Sequence, residues 1–396
     1  MIFKEKIKKV FHDKGYPLYD FMRRNGFIEQ TNLNLNLCDL SQKRVLICYV
    51  PIPNYDFSEI IHAQSAHINQ IIYNFTKRGF CVNVCYANDI QSYRRICHYH
   101  YDVVFGFGSA YKQACMDNPE ALKISFIMEN HPDVVSQKYS DRIRYFKSRH
   151  PHIDISSSIV RSGFFDADQF KLSDAGILMS SRYNSLNFSE LRNKILLINC
   201  NSIFNKKYEF VPEEVIKSIS SSRRNFLWFG SVGLIHKGLD IVIDAFKELP
   251  DLSLNVYGLD KKEYGLFEEL KADNTYNKKR INVLSDEFIT DVVKKHNFMI
   301  LDSCSEGMST AVSTCMAHGI IPIVSMECGF NEAPSIIQLE DNSVEGVKAA
   351  IQKACDMSDE EVLAMRKDCY EYARNQFSLE HFDHVFYEEL NKILNM

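Results

Sequence analysis

One acidic side chain, Glu306, stands at the end of the loop Asp302-Ser-Cys-Ser-Glu306-Gly307, which follows the apolar run Phe298–Leu301. A carboxylate in such a place is suited to gripping hydroxyls. The residues after it, Gly307, Met308, Ser309 and Thr310, lead into a helix, and the exposed amides of a helix start suit phosphate. Hydroxyls beside phosphate describe a sugar diphosphate. A second loop, Phe229-Gly230-Ser231-Val232-Gly233-Leu234-Ile235-His236-Lys237-Gly238, has glycines that let the backbone approach a phosphate and a lysine able to neutralise it. Its Lys-Gly order, with no Ser or Thr after the lysine, excludes a Walker A loop.

Both loops need a strand before them and a helix after them. Residues 298–301 are continuously apolar, as in a strand covered on both faces. The helix that follows is expected to start near Ser309 and to end at Gly319, where a left-handed cap belongs, with Pro322 three residues on. From Arg44 the chain alternates strand and helix, with strands at 44–50, 80–86, 102–107, 122–129 and 153–160 and helices at 58–78, 110–117 and 134–149. Residues 195–199 resemble the last strand of this series. A second series follows: strands 225–229, 252–257, 281–284 and 298–301, with helices 238–248, 261–271 and 287–296. Helices close the chain at 344–356, 359–376 and 380–394. Alternation with short connections gives parallel sheets wrapped by helices.

At 396 residues the chain has the length of two domains of roughly 150–200 residues each. The expected partition is a basic amphipathic segment at 1–40, a first domain at 41–205, a second at 206–378 and a terminal helix at 379–396. Charged residues are 24% and the formal net charge is −5, which argues against nucleic acid as a partner. No apolar run reaches the roughly 18 residues of a bilayer span, and Lys4, Lys6, Lys8 and Lys9 stand where a secretion signal would be apolar. A cytoplasmic protein is expected. In residues 1–27 basic residues outnumber acidic ones, and Phe3, Ile7, Val10 and Phe11 share a helical face, so this segment could lie on an anionic membrane surface or dock on its own protein. Twelve cysteines without a CxxC pair, among them Cys48, Cys81 and Cys85, suggest buried reduced thiols. His62, His67, His98 and His100 lack a carboxylate at metal spacing, and no metal site is expected.

Lys237-Gly238-Leu239-Asp240, Asp244-Ala245-Phe246-Lys247-Glu248-Leu249, Val256-Tyr257-Gly258, Glu306-Gly307 and Gly319-Ile-Ile-Pro322-Ile-Val-Ser325 follow one another across residues 226–330. In order and spacing they resemble the GT-B fold retaining glycosyltransferases of the GT4 type, glycosyltransferase group 1, many of which build bacterial surface polysaccharides. The resemblance implies an α/β fold of two Rossmann-like, doubly wound parallel-sheet domains facing each other across a cleft. It gives Lys237 the donor diphosphate, Glu306 the sugar hydroxyls and the amides of 307–310 the phosphate. Gly230, Ser231, Gly233, His236 and Gly258 fall among the donor-binding positions. Two positions depart from the pattern: Ser231 replaces the arginine that opens the first loop, and Thr314 replaces the second glutamate, which usually holds the ribose. The threonine hydroxyl can still bond a ribose. In the first half only the strand and helix rhythm resembles the family, and His131, in Glu129-Asn130-His131-Pro132, matches a histidine often found close to the donor sugar.

The implied reaction moves a sugar from a nucleotide-diphosphate sugar to a glycan or lipid-linked oligosaccharide acceptor with retention, as in O-antigen or capsule synthesis. The donor is a substrate, so no cofactor is called for. Front-face displacement, with the leaving phosphate taking the acceptor proton, needs no protein nucleophile. No Asp-x-Asp context near the site suggests a metal. The rival expectations are a non-catalytic sugar-nucleotide-binding protein, favoured by Ser231 and Thr314, a sugar-nucleotide epimerase of the same plan, and a scaffolding protein.

Overall fold

A computed structural model describes residues 29–33, 43–50, 63–159, 165–191 and 194–395. The basic segment 1–27, His62 and the first residues of the helix expected from 58 lie outside the described residues. Two sheets carry the fold. The first contains β1 (Gln30–Leu33), β2 (Arg44–Tyr49), β3 (Cys81–Tyr86), β4 (Val103–Gly106), β5 (Leu122–Ile127), β6 (Ala175–Met179) and β7 (Ile195–Ile198), in the order β1-β3-β2-β4-β5-β6-β7. The second contains β8 (Asn225–Phe229), β9 (Ser253–Tyr257), β10 (Thr275–Asn277), β11 (Phe298–Leu301), β12 (Ile321–Val324) and β13 (Ile337–Gln338), in the order β10-β9-β8-β11-β12-β13. The second sheet is parallel throughout. In the first, β1 runs antiparallel to β3, an edge that strand and helix alternation did not reveal.

Strands β4, β6, β11 and β12 are buried at every residue, as strands of a sheet covered on both faces are. The described residues fall into two compact units, one taken from the spans 1–59, 64–126 and 164–176 and the other from 60–63, 127–163 and 177–396. The core of the first gathers Leu46, Cys48, Cys85, Tyr101, Val104 and Tyr111. Cys48 and Cys85 are buried free thiols with their sulfurs 3.5 Å apart, whereas Cys81 is disulfide-bonded, contrary to the expectation of a reduced thiol.

Two expected strands are turns. At 281–284, Asn282 holds a local turn, its side chain accepting from Leu284 N at 3.0 Å and its carbonyl from Ser285 N at 3.0 Å. The strand lies earlier, at Thr275–Asn277. Just before it, the Asn274 side-chain amide donates to the carbonyls of Phe246, Leu249 and Leu252 and fixes the entry to β10. Within the described part of 153–160, Asp154 accepts from the amide and hydroxyl of Ser156, another turn-forming arrangement. The helices Asp168–Leu172 and Pro212–Ser222 and the strand β6 were not anticipated. The helix Pro132–Arg149 begins at proline, with the ring Nδ1 of His131 accepting from Asp133 N at 3.3 Å as its cap. Gly319 ends the helix Thr310–Met316 at φ +68°, as its sequence position suggested.

Candidate sugar-phosphate site

In the second sheet, β8 is flanked by β9 on one side and β11 on the other, so the chain's winding reverses between β8 and β11. The loops leaving the carboxyl ends of adjacent parallel strands at such a point form the ligand crevice of open α/β sheets. The loop after β8 carries Lys237 and the loop after β11 carries Glu306. Their side chains form an ion pair, Nζ to Oε1, with Lys237 5% and Glu306 6% exposed. Ser303 Oγ donates a second hydrogen bond to the same Glu306 oxygen at 3.1 Å.

His236 locks the two loops together. Its Nε2–H donates to the Ser305 carbonyl at 2.6 Å, so Nδ1 is the acceptor and faces the Cys304 sulfur at 3.6 Å. Its backbone carbonyl accepts from Cys304 N at 2.9 Å. Burial pushes the Cys304 thiol up to about 12, so it acts as a neutral donor here. The loop glycines answer to close packing. A Cβ on Gly258, at φ +90°, would collide with the Gly230 carbonyl, and one on Gly230 would collide with the Trp228 ring. The amides of Gly233 and Leu234, expected to face phosphate, donate to the Glu263 carboxylate at 2.9 Å each, and Ile159 N joins them at 3.1 Å. Burial raises Glu263 above the usual carboxylate range, while the three amides pull it back. Ser231 is exposed.

After Glu306 the chain is held from several sides. A Cβ on Gly307 would collide with the Met128 carbonyl, which explains the glycine. Ser180 Oγ donates to the Gly307 carbonyl at 2.5 Å, and the buried Asn184 side-chain amide faces the carbonyls of Glu306, Gly307 and Glu327 at 3.2, 3.3 and 3.4 Å. Asn130 Nδ2 donates in turn to Asn184 Oδ1 at 3.2 Å. Met308 is half-buried, its sulfur accepting from Cys200 N at 3.3 Å. Ser309 N donates to Cys328 O at 3.3 Å, which turns that amide away from any ligand, and Thr310 opens the helix, half-buried. Thr314 is buried and its hydroxyl oxygen accepts from Ile203 N at 3.2 Å. His131 caps its helix while its Nε2 stands 3.5 Å from Glu190 Oε1.

The fold thus brings Lys237, His236, Glu306 and Gly307 together, and it gives Gly230, Gly233, Gly258, Thr314 and His131 visible packing or capping partners. The sequence reasoning passed over Arg142. This buried guanidinium donates to Asp302 Oδ2 at 2.9 Å and to the Asp302 carbonyl at 3.0 Å, while Gly238 lies against the same carbonyl. Burial pushes Asp302 up to about 7 against the opposing pull of Arg142. Along the same helix Lys138 pairs with Glu327 and Arg149 with Asp240 and Asp244. The spacing of 138, 142 and 149 on one helical face was the available signal.

Residues 212–376 match the family described as glycosyl transferases group 1. A search of the curated proteins finds no match. Among solved structures, HepE from Anabaena in complex with UDP and glucose is 10% identical with a TM-score of 0.56, the match covering 89% of this chain and 100% of that one. Sucrose-phosphate synthase from Thermosynechococcus elongatus is 13% identical with a TM-score of 0.61, over 89% and 99%. A trehalose-6-phosphate synthase studied for glycosyl transfer with retention is 8% identical with a TM-score of 0.55, over 89% and 99%. Identities this low speak to fold, and the fold is GT-B, two Rossmann-like α/β domains.

Proposed function

We propose that the protein transfers a sugar from a nucleotide-diphosphate donor to a glycan or lipid-linked acceptor with retention of configuration, in the synthesis of a surface polysaccharide. The observation that carries this is the meeting of Lys237 and Glu306 where the winding of the second sheet reverses. One side chain suits a diphosphate and the other suits hydroxyls, and they sit on loops locked to each other by His236.

Lys237 takes the diphosphate and stabilises the charge that grows on it as the glycosidic bond breaks. Glu306 turns from Lys237 to the sugar hydroxyls when the donor enters. With Gly233 and Leu234 bound to Glu263, the first loop contributes the lysine more than its amides. Residues 41–205 form the acceptor domain and 206–378 the donor domain, without a catalytic metal. The enzyme works at the cytoplasmic face of the membrane, touched through residues 1–27. The UDP and glucose bound to HepE support UDP-sugars as first donors to test, and the retention studied in the trehalose-6-phosphate synthase supports a retaining reaction.

A thermal-shift panel of sugar nucleotides tests the proposal. At least one donor raises the melting temperature of the wild type, and Lys237→Ala and Glu306→Ala each reduce that shift. No shift with any donor would sink the transferase reading. Unchanged binding in both variants would place the site elsewhere.

A further inference from the structure

Away from the Lys237–Glu306 crevice, the carboxyl edge of the second sheet gathers positive charge. Strand β10 is the outer strand of that sheet, beside β9. The loops that follow these two strands leave from the same edge, with Lys278 N donating to Val256 O at 2.8 Å as the last rung between them. A third segment joins them: the Asn205 side-chain amide donates to the carbonyls of Val283 and Ser285 at 3.0 Å each, which sets Lys206 and Lys207 beside the loop after β10. Residues 205–207, 260–263 and 276–287 together hold seven basic residues and four acidic ones, in a chain whose formal net charge is −5. Two of those acids are already taken. Glu263 is buried under its three amides, and Asp286 pairs with Lys207 at 2.7 Å. Among the described residues, no carboxylate pairs with Lys206, Lys261, Lys262, Lys278, Lys279 or Arg280. Other cations of the same unit, such as Lys138, Arg149, Arg223 and Lys348, do sit on carboxylates. All six unpaired cations except Lys278 are exposed. Lys278 Nζ lies 5.0 Å from the centroid of the Tyr276 ring, which is itself 45% exposed.

We propose that this edge docks on an anionic phospholipid surface. A single phosphate is held by buried, converging groups, whereas six cations spread over three loops suit a surface of many charges. A half-exposed tyrosine with a lysine over its face has the apolar body and polar tips that settle at the level of lipid headgroups. The donor, in the reading proposed above, lies at β8 and β11, and β10 stands two strands out from β8. This surface is therefore distinct from the donor site, and its assignment does not depend on that reading. Docking would turn the carboxyl edge, on which the Lys237–Glu306 crevice also opens, toward the lipid.

Co-sedimentation of the full chain with vesicles of phosphatidylcholine, with and without one third phosphatidylglycerol, tests it. The wild type binds the anionic vesicles, more weakly as salt is raised, and does not bind the neutral ones. A basic residue near an anionic surface is worth about fivefold in partition, so Lys278→Gln, Lys279→Gln and Arg280→Gln combined weaken binding at least about tenfold. Lys217→Gln, Lys294→Gln and Lys353→Gln combined remove the same charge from exposed positions elsewhere and change binding by less than about threefold. Tyr276→Trp adds a tryptophan to a chain with one, the buried Trp228, and the emission of this variant moves to the blue on addition of anionic vesicles. Equal binding to both kinds of vesicle overturns the proposal, as does a smaller loss in the 278–280 variant, an equal loss in the two triple variants, or no blue shift while vesicles are bound. The thermal shift with sugar nucleotides is the same in the 278–280 variant as in the wild type. Loss of that shift with vesicle binding intact would assign these cations to the donor and overturn the lipid assignment.

Discussion

The Lys237–Glu306 pair sets the terms of the site residue by residue. Removing one partner leaves the other buried and uncompensated, at a cost of about 3–5 kcal/mol, whereas replacing both by apolar groups of similar size can be nearly neutral. Lys237→Met with Glu306→Leu should therefore unfold at a higher temperature than either single variant, and differential scanning calorimetry would show it. Two titrating groups add opposite pH signatures. Asp302 lies at about 7 in the fold against 3.8 ordinarily, so the folded state holds its proton longer. Its contribution is complete below about pH 4 and is lost as pH rises through 7. His318 is buried and lowered from 6.5 to about 4, its Nδ1–H donating to Thr314 O at 2.7 Å and its Nε2 accepting from Asn205 N at 3.1 Å. Its contribution is present above about pH 6.5 and is lost as pH falls toward 4. Melting temperatures of His318→Gln between pH 7 and 4 should fall less steeply on acidification than those of the wild type. An equally steep fall would show that His318 does not titrate in this way.

At the scale of elements, the helix Pro132–Arg149 orients the site more than its sequence announces. Arg142 reaches both the carboxylate and the carbonyl of Asp302, which stands between β11 and the Glu306 loop. Arg142→Ala should cost about 3–5 kcal/mol, and Arg142→Met paired with Asp302→Leu clearly less, in denaturant titrations at pH 7. A loss under about 1 kcal/mol for the alanine variant would mean that this pair does not hold the loop. The paired ends of β8 and β9 make a separate demand. Gly258→Ala puts a Cβ against the Gly230 carbonyl at a positive φ, and its cost should exceed the roughly 1 kcal/mol at stake for glycine where alanine fits.

For the whole molecule, donor binding and stability are linked. A ligand at a hundred times its dissociation constant adds about 2.7 kcal/mol to the folded state when the unfolded chain does not bind it. Cooperative unfolding followed by two probes should show whether that gain reaches both sheets. A shift confined to one of two transitions would mean that the compact units respond separately. Buried strands such as β4 and β11 were legible because helices on both sheet faces leave no polar alternation to confuse the pattern, whereas β6, equally buried, was passed over. β1 was not, since a short antiparallel edge strand carries no such run. The strand at 275–277 was misplaced for a different reason: Asn274 and Asn282 fix neighbouring turns through side-chain bonds that periodicity does not register.

Glu306, Lys237 and the glycines around them could be picked out by sequence alone, because a strand, a tight loop and a helix leave marks in local order and residue type. The pairing of Lys237 with Glu306 needed the strand order, since 69 residues separate them and only the adjacency of β8 and β11 joins their loops. The same holds for Glu263 on the loop amides and Arg142 on Asp302. Each depends on burial and on which segments pack together. Free energies of that kind arise from desolvation and contact between distant residues, and local sequence carries no record of them.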